Sequence, residues 1–300
     1  MNRAARLAVS GAVATAAGRT ARGLLDQLAG PSSWWHRTNH EGRPVSLLEG
    51  PALVAAITAG AVAGAPDVRS ALSAAVAVGG AGAFGTVDDL FEDPSERSKG
   101  LRGHLGALRR GTVTTGAVKI AGIGASALVA AAAMPRRGRH GVARTLLEVG
   151  VDAALVAGTA NLVNLFDLRP GRALKVSAAL AAPLAGSRAA GTAGAVLGAV
   201  VAVAPADLEA RDMAGDGGAN ALGAAVGHAV ASSAPLPVRM TALAAVAALT
   251  LASERTSFSA VIERTAWLRA VDEWGREPQE RAEVVPEGRD DRQRGLDGEA

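Results

Sequence analysis

Residues 112–134 read TVTTGAVKIAGIGASALVAAAAM, an apolar stretch in which Lys119 is the one charged residue. A helix needs roughly 20 mostly apolar residues to cross the hydrocarbon core of a bilayer, and this stretch satisfies that length. It predicts a transmembrane helix.

Similar apolar runs recur on both sides of this stretch, over the first 253 residues, and loops rich in Arg separate them. We predict about nine spans, at residues 7–25, 48–66, 69–87, 112–134, 145–165, 173–188, 190–207, 218–234 and 236–253. The predicted fold class is therefore all-α, a polytopic integral membrane helical bundle. The alternative is a soluble Ala-rich bundle of buried helices, which fits the marginal runs 173–188 and 218–234 best.

The composition agrees with a membrane bundle, since 49% of the residues are hydrophobic and 20% are charged. Alanine buries little area, so the helices are expected to pack through close approach of small residues, as in the GxxxG-like run around Gly194. The absence of Cys excludes disulfides, thiolate metal sites and a Cys nucleophile. The net charge of +3 shows no basic stripe, so nucleic acid is not an expected partner.

The two ends of the chain differ from the middle. Arg3 and Arg6 precede LAVSGAVATAAG, which resembles a signal peptide, although we favour an uncleaved first span. Residues 254–276 are predicted to form a cytoplasmic amphipathic segment, and the charged residues 277–300 a disordered tail. Residues 1–253 would then form the membrane domain.

Three acidic motifs stand where apolar runs meet polar loops: Asp88 and Asp89 in GTVDDLFED, Asp167 in ANLVNLFD, and Asp216 in MAGDGGANALG. A charged group is costly to place near a bilayer, so such residues indicate a functional site. Alternating the spans puts all three motifs and the tail on one side, which carries more Lys and Arg and is therefore predicted to be cytoplasmic. The simpler alternatives are a helix cap at Asp88 and Asp89 and an Asx turn at Asp216.

The residue types at this face suit phosphoryl transfer. Carboxylates with phosphate oxygens are typical ligands of Mg²⁺, and basic side chains neutralise phosphate charge. Asn161 and Asn164 are three residues apart and would share one face of a helix end, where they could orient a substrate or Asp167. Within the spans, Lys119 is expected to snorkel to the interface, and His228 is expected to be a hydrogen-bonded packing residue more than a ligand.

The order of the motifs DD, SKGL, NxxNLxD and GDxG carries a family resemblance. With RTNHEGRPVSLLEGPA, they make residues 35–225 resemble the polyprenyl-phosphate N-acetylhexosamine-1-phosphate transferases, the phospho-N-acetylmuramoyl-pentapeptide translocase-like enzymes of glycosyltransferase family 4. The resemblance implies a multi-pass membrane enzyme of cell-envelope glycan synthesis. Such an enzyme uses Mg²⁺ to move a sugar 1-phosphate from a UDP-sugar onto polyprenyl phosphate and releases UMP.

The resemblance also implies roles for residues of this chain. Asp88, Asp89 and Asp167 would be catalytic, the first two by positioning or activating the lipid phosphate. Asp216, together with Asp89, would bind Mg²⁺. The implied substrate-binding residues are Lys99, Asn161, Asn164, Arg169 and Arg172, with Lys175 as a further basic residue beside the last two.

The chain departs from the family pattern on the side that would bind the nucleotide-sugar. Leu168 and Pro170 replace a Gly and an Asp, Ala219 replaces a Ser, and the family's histidine cluster and tenth span have no counterpart. We therefore expect the lipid-phosphate half of the site to be better preserved than the nucleotide half.

Two other functions stay open. The first is a catalytically inactive homologue that binds polyprenyl phosphate or a partner enzyme as a scaffold. The second is a small transporter, which is weaker because the polar groups lie at loop ends and not at the bilayer midplane. A homodimer is compatible with either reading.

Overall fold

The computed structural model describes residues 1–30, 32–39, 42–91, 114–136, 138 and 141–276. Within these ranges the chain is all-α, with a short antiparallel hairpin of β1 (His36–Thr38) and β2 (Pro44–Ser46) and two 3-10 turns, Ser33–Trp35 and Ala182–Leu184. The α-helices are α1 (Arg3–Ala29), α2 (Glu49–Ala63), α3 (Val68–Phe91), α4 (Thr115–Ala133), α5 (Val142–Asn164), α6 (Arg172–Ala181), α7 (Ala190–Leu208), α8 (Gly215–Ser233), α9 (Leu236–Ser253), α10 (Phe258–Arg264) and α11 (Ala266–Glu273).

Among the described residues, five helices are long and apolar enough to cross a membrane: α3, α4, α5, α7 and α9. The all-α class is confirmed, and the length and composition of these five helices agree with a multi-pass membrane protein. The four other predicted spans correspond to α1, α2, α6 and α8. Of these, α2 has 15 residues and α6 has 10. At 1.5 Å per residue they are about 22 and 15 Å long, shorter than a hydrocarbon core of roughly 30 Å.

Small residues allow the helices to approach closely, as the composition predicted. A Cβ added to Gly194 of α7 would lie 2.3 Å from the Leu7 carbonyl oxygen of α1. One added at Gly198 would lie 2.2 Å from the carbonyl oxygen of Gly11. Only glycine permits this backbone contact, so the GxxxG spacing fixes how α1 and α7 pack.

Helix α8 is the central helix of the bundle, and most of its residues are buried between α2, α3 and α5. Gly85 sets its contact with α3, because a Cβ there would lie 2.3 Å from the Asp216 carbonyl oxygen. The close approach brings the end of α3, which carries Asp88 and Asp89, against the first turn of α8.

Loops at this same end of the bundle are joined by backbone hydrogen bonds. Ser46 of the hairpin donates its N–H to the Arg211 carbonyl oxygen at 3.0 Å, and its own carbonyl accepts from the Met213 N–H at 3.0 Å. Arg22 of α1 forms a two-pronged ion pair with Asp212, at 2.7 and 2.8 Å. The α7–α8 loop is therefore held by α1 and by the hairpin.

Candidate functional site

Three charged side chains meet where α3, α4 and α8 come together. The Lys119 Nζ of α4 donates hydrogen bonds to Asp88 Oδ2 of α3 and to Asp216 Oδ2 of α8. Asp88 is buried, and the side chains of Lys119 and Asp216 are 18% and 28% exposed. Lys119 thus bridges two of the predicted acidic motifs, and its snorkelling to the interface stays a prediction. We call these three residues the carboxylate–lysine cluster.

Asp89 lies beside this cluster and caps α8. Its Oδ1 accepts from the Asp216 N–H at 2.9 Å and its Oδ2 from the Gly217 N–H at 2.8 Å. A carboxylate at this position satisfies free N–H groups of the first turn and is favoured by the helix dipole. The alternative was that these acids cap the helix that follows them in sequence, whereas Asp89 caps α8, which is distant in sequence.

Asp167 lies in the loop after α5 and is partly buried. Burial raises its pKa well above the usual aspartate range, and the negative charges of Asp207, Asp216 and Asp89 raise it further. All four acids that the sequence singled out therefore lie at one end of the bundle.

Sequence reasoning missed further acids at this end. Glu49 is fully buried, and none of the described residues donates a hydrogen bond to its carboxylate. Its carboxyl adjoins that of Asp207, so the two share a hydrogen bond only when one of them is protonated. Asp207 also accepts the Gly171 N–H at 2.8 Å. Both acids stand at the end of an apolar run, which is the same signal that identified Asp88.

Three of the predicted substrate-binding residues are Asn161, Asn164 and Lys99. Asn161 is exposed and Asn164 is partly exposed, and both lie at the end of α5, where Asn164 is three residues before Asp167. Lys99 lies outside the described residues. The roles of all three stay predictions.

The basic residues of the loop before α6 are bound by the C-terminal segment. Arg172 is buried and donates from Nε and Nη2 to the two carboxylate oxygens of Asp272, at 2.8 and 2.9 Å. Arg169 pairs with Glu263 at 2.9 Å, and Lys175 donates to the Asp272 carbonyl oxygen at 2.6 Å. Their predicted role in binding a nucleotide-sugar stays a prediction, and it requires them to exchange these partners.

Two more contacts hold this segment in place. Phe258 of α10 stacks on Phe166, with ring centroids 4.4 Å apart and planes 9° apart. Burial opposes ionisation of Asp272, but its pairs with Arg172 and Arg276 lower its pKa below the usual range. The segment therefore covers the loop that carries Asp167.

The donor types of this site suit Mg²⁺, but their arrangement does not. Within the described ranges, no group of three or more His, Cys, Asp or Glu side chains is placed to hold a metal ion. The Lys119 ammonium lies between Asp88 and Asp216, and both Asp89 oxygens accept backbone N–H groups. A divalent ion between these carboxylates would have to displace Lys119, so the requirement for Mg²⁺ stays a prediction.

No protein-family model matches the chain, and no curated protein matches it. The family resemblance therefore depends on the quoted motifs and on their meeting at one end of the bundle.

Proposed function

We propose that the chain is a multi-pass membrane transferase that moves a sugar 1-phosphate from a UDP-sugar to polyprenyl phosphate. The observation that carries this proposal is the carboxylate–lysine cluster. Bringing a charged group out of water costs several kcal/mol, and Asp88, Lys119 and Asp216 come from three separate helices. Such a convergence is typical of functional sites in membranes.

In this reaction an oxygen of the lipid phosphate attacks the phosphorus that carries the sugar. The bond from that phosphorus to the bridging oxygen breaks, and UMP leaves with the oxygen and its electron pair. Asp88 or Asp216 would accept the proton of the lipid phosphate, and Lys119 would offset the negative charge that the reacting groups bring. Asp89 would keep the first turn of α8 in position.

The motif-bearing loops are proposed to face the cytoplasm, in a cell membrane of a bacterial envelope. The basic residues of these loops favour that side.

The test is release of UMP from a panel of UDP-sugars by the purified protein with polyprenyl phosphate and Mg²⁺. Asp216→Asn should lower the rate by about 100-fold, which is typical of losing one electrostatic contact in a catalytic site. Asp26→Asn is the matched control, because Asp26 is exposed on α1 and Arg22 is its one ion-pair partner among the described residues. An unchanged rate in Asp216→Asn, or no UMP from any donor, would contradict the proposal.

A second candidate function is an inactive homologue that binds polyprenyl phosphate or a partner enzyme. It is favoured by two observations: the Lys119 ammonium is paired with both Asp88 and Asp216, and Asp272 is paired with Arg172. Binding of polyprenyl phosphate without UMP release would support this candidate.

A further inference from the structure

A cavity of about 220 Å³ lies at the opposite end of the bundle from the carboxylate–lysine cluster. His228 lines it, twelve residues after Asp216 on α8, which corresponds to about 18 Å along the helix. The polar side chains around it include Arg6, Asp67, Arg136, Arg188, Thr192 and His228. We call this space the arginine cavity.

The charges around the arginine cavity favour an anion. Arg136 is neutralised by its ion pair with Asp152 at 2.7 Å. Arg6 donates from Nε to the Gly64 carbonyl oxygen at 2.7 Å. A carbonyl oxygen has no formal charge, so this contact does not neutralise Arg6. Arg188 is exposed and forms no ion pair with a described residue. Asp67 is the one carboxylate among the described residues that line the cavity, so one negative charge opposes the two positive charges of Arg6 and Arg188.

His228 adds a hydrogen-bonding group whose role follows from its partners. Its ring is 3% exposed, and its Nε2 lies 2.9 Å from Ser73 Oγ. The Ser73 hydroxyl donates its one proton to the Ala130 carbonyl oxygen at 2.8 Å, so the ring must donate from Nε2. In the neutral ring Nδ1 is then an acceptor, and it is buried with no partner among the described residues. Such an atom calls for a donor from a ligand or water.

We propose that the arginine cavity binds a phosphate group that retains one hydroxyl. Its anionic oxygens would meet Arg6 and Arg188, and its P–OH would donate to Nδ1 of His228. The phosphate could be free inorganic phosphate or the monoester headgroup of a lipid, since both present the same atoms. The site shares no residue with the carboxylate–lysine cluster, so it stands or falls independently of the transferase proposal.

The test is isothermal titration calorimetry of inorganic phosphate into the full-length protein in detergent. Arg188→Gln should weaken binding by roughly tenfold or more, because a charge-assisted contact is lost. His228→Gln keeps a donor for Ser73 but removes the Nδ1 acceptor, and it should weaken binding by about tenfold. Arg188 is exposed, so its variant is expected to fold even where a change at His228 is not tolerated.

Two controls make the outcome decisive. Arg69→Gln removes an exposed arginine at the same end that does not line the cavity, and Arg255→Gln removes an exposed arginine at the other end. Both should bind phosphate as the wild type does. No binding by the wild type, or an equal loss in Arg69→Gln or Arg255→Gln, would overturn the proposal.

A second arm identifies the source of the phosphate. The protein is placed in phosphatidylcholine vesicles with and without phosphatidic acid, and the titration with inorganic phosphate is repeated. Weaker apparent affinity with phosphatidic acid assigns the cavity to a lipid headgroup. Unchanged affinity assigns it to free phosphate.

Discussion

Replacing Asp272 with Asn should release the C-terminal segment, α10 and α11, from the bundle. Asp272 accepts both prongs of the Arg172 guanidinium, and the two side chains are only 10% and 3% exposed. Removing one partner of a buried ion pair costs about 3–5 kcal/mol, and Asn retains one acceptor oxygen, so about 3 kcal/mol is expected. This is roughly a 100-fold change in the docking equilibrium.

The assay is limited proteolysis with trypsin, which cuts after Arg264 and Arg269 once the segment opens. When opening is faster than cleavage, the cleavage rate follows the open population, so Asp272→Asn should be cut roughly 100-fold faster. Glu273→Gln is the control, because Glu273 is exposed and has no ion pair with a described residue. Thermal unfolding of the bundle should change little, since Asp272 is the one buried residue of the described α10 and α11 helices.

Acid should have the same effect on the wild type. The pKa of Asp272 is lowered in the docked state, so docking is favoured above the unfolded value near 4 and is lost as pH falls through the lowered value. Equal cleavage rates for Asp272→Asn, Glu273→Gln and wild type would refute the claim that this ion pair holds the segment.

Three further predictions concern the carboxylate-rich end. Gly85→Ala should lower thermal stability by about 1–3 kcal/mol because its Cβ would overlap the Asp216 carbonyl oxygen, whereas Gly79→Ala, with open space around it, should not. Burial and neighbouring charges raise the pKa of Asp167, so ionising it in the folded protein costs stability above about pH 4. Asp167→Asn should therefore have a higher melting temperature than the wild type at pH 8, and this difference should shrink as the pH is lowered. Because the chain has no Cys, single cysteines beside Asp167 and Asp216 should both be protected from an impermeant thiol reagent in intact cells, and labelling of only one would contradict a common cytoplasmic face.

The sequence predicted the helical class well, because long apolar runs rich in small residues have few stable structures other than packed helices. It was less reliable for individual lengths. The run 173–188 is apolar throughout most of its length, yet α6 ends at Ala181 and a 3-10 turn follows. Pro183 lies in that turn and lacks the N–H that a continuing helix would need.

The acids of the site were predictable because a charge at the end of an apolar run is conspicuous. Their partners were not. Nothing local to Lys119 indicates that it meets Asp88 and Asp216, since that depends on how α4 is rotated against α3 and α8. The pairing of Arg172 with Asp272 spans 100 residues and likewise depends on tertiary packing.

The central claim is that Asp88, Lys119 and Asp216 act as one unit in phosphoryl transfer. A double-mutant cycle of UMP release, with Asp88→Asn, Asp216→Asn and the combined variant, tests it most directly. Since both carboxylates act through the same Lys119 ammonium, each single change should be severe, and the double variant should be about as slow as the slower single one. Losses that multiply, or a wild-type rate in either single variant, would contradict the claim.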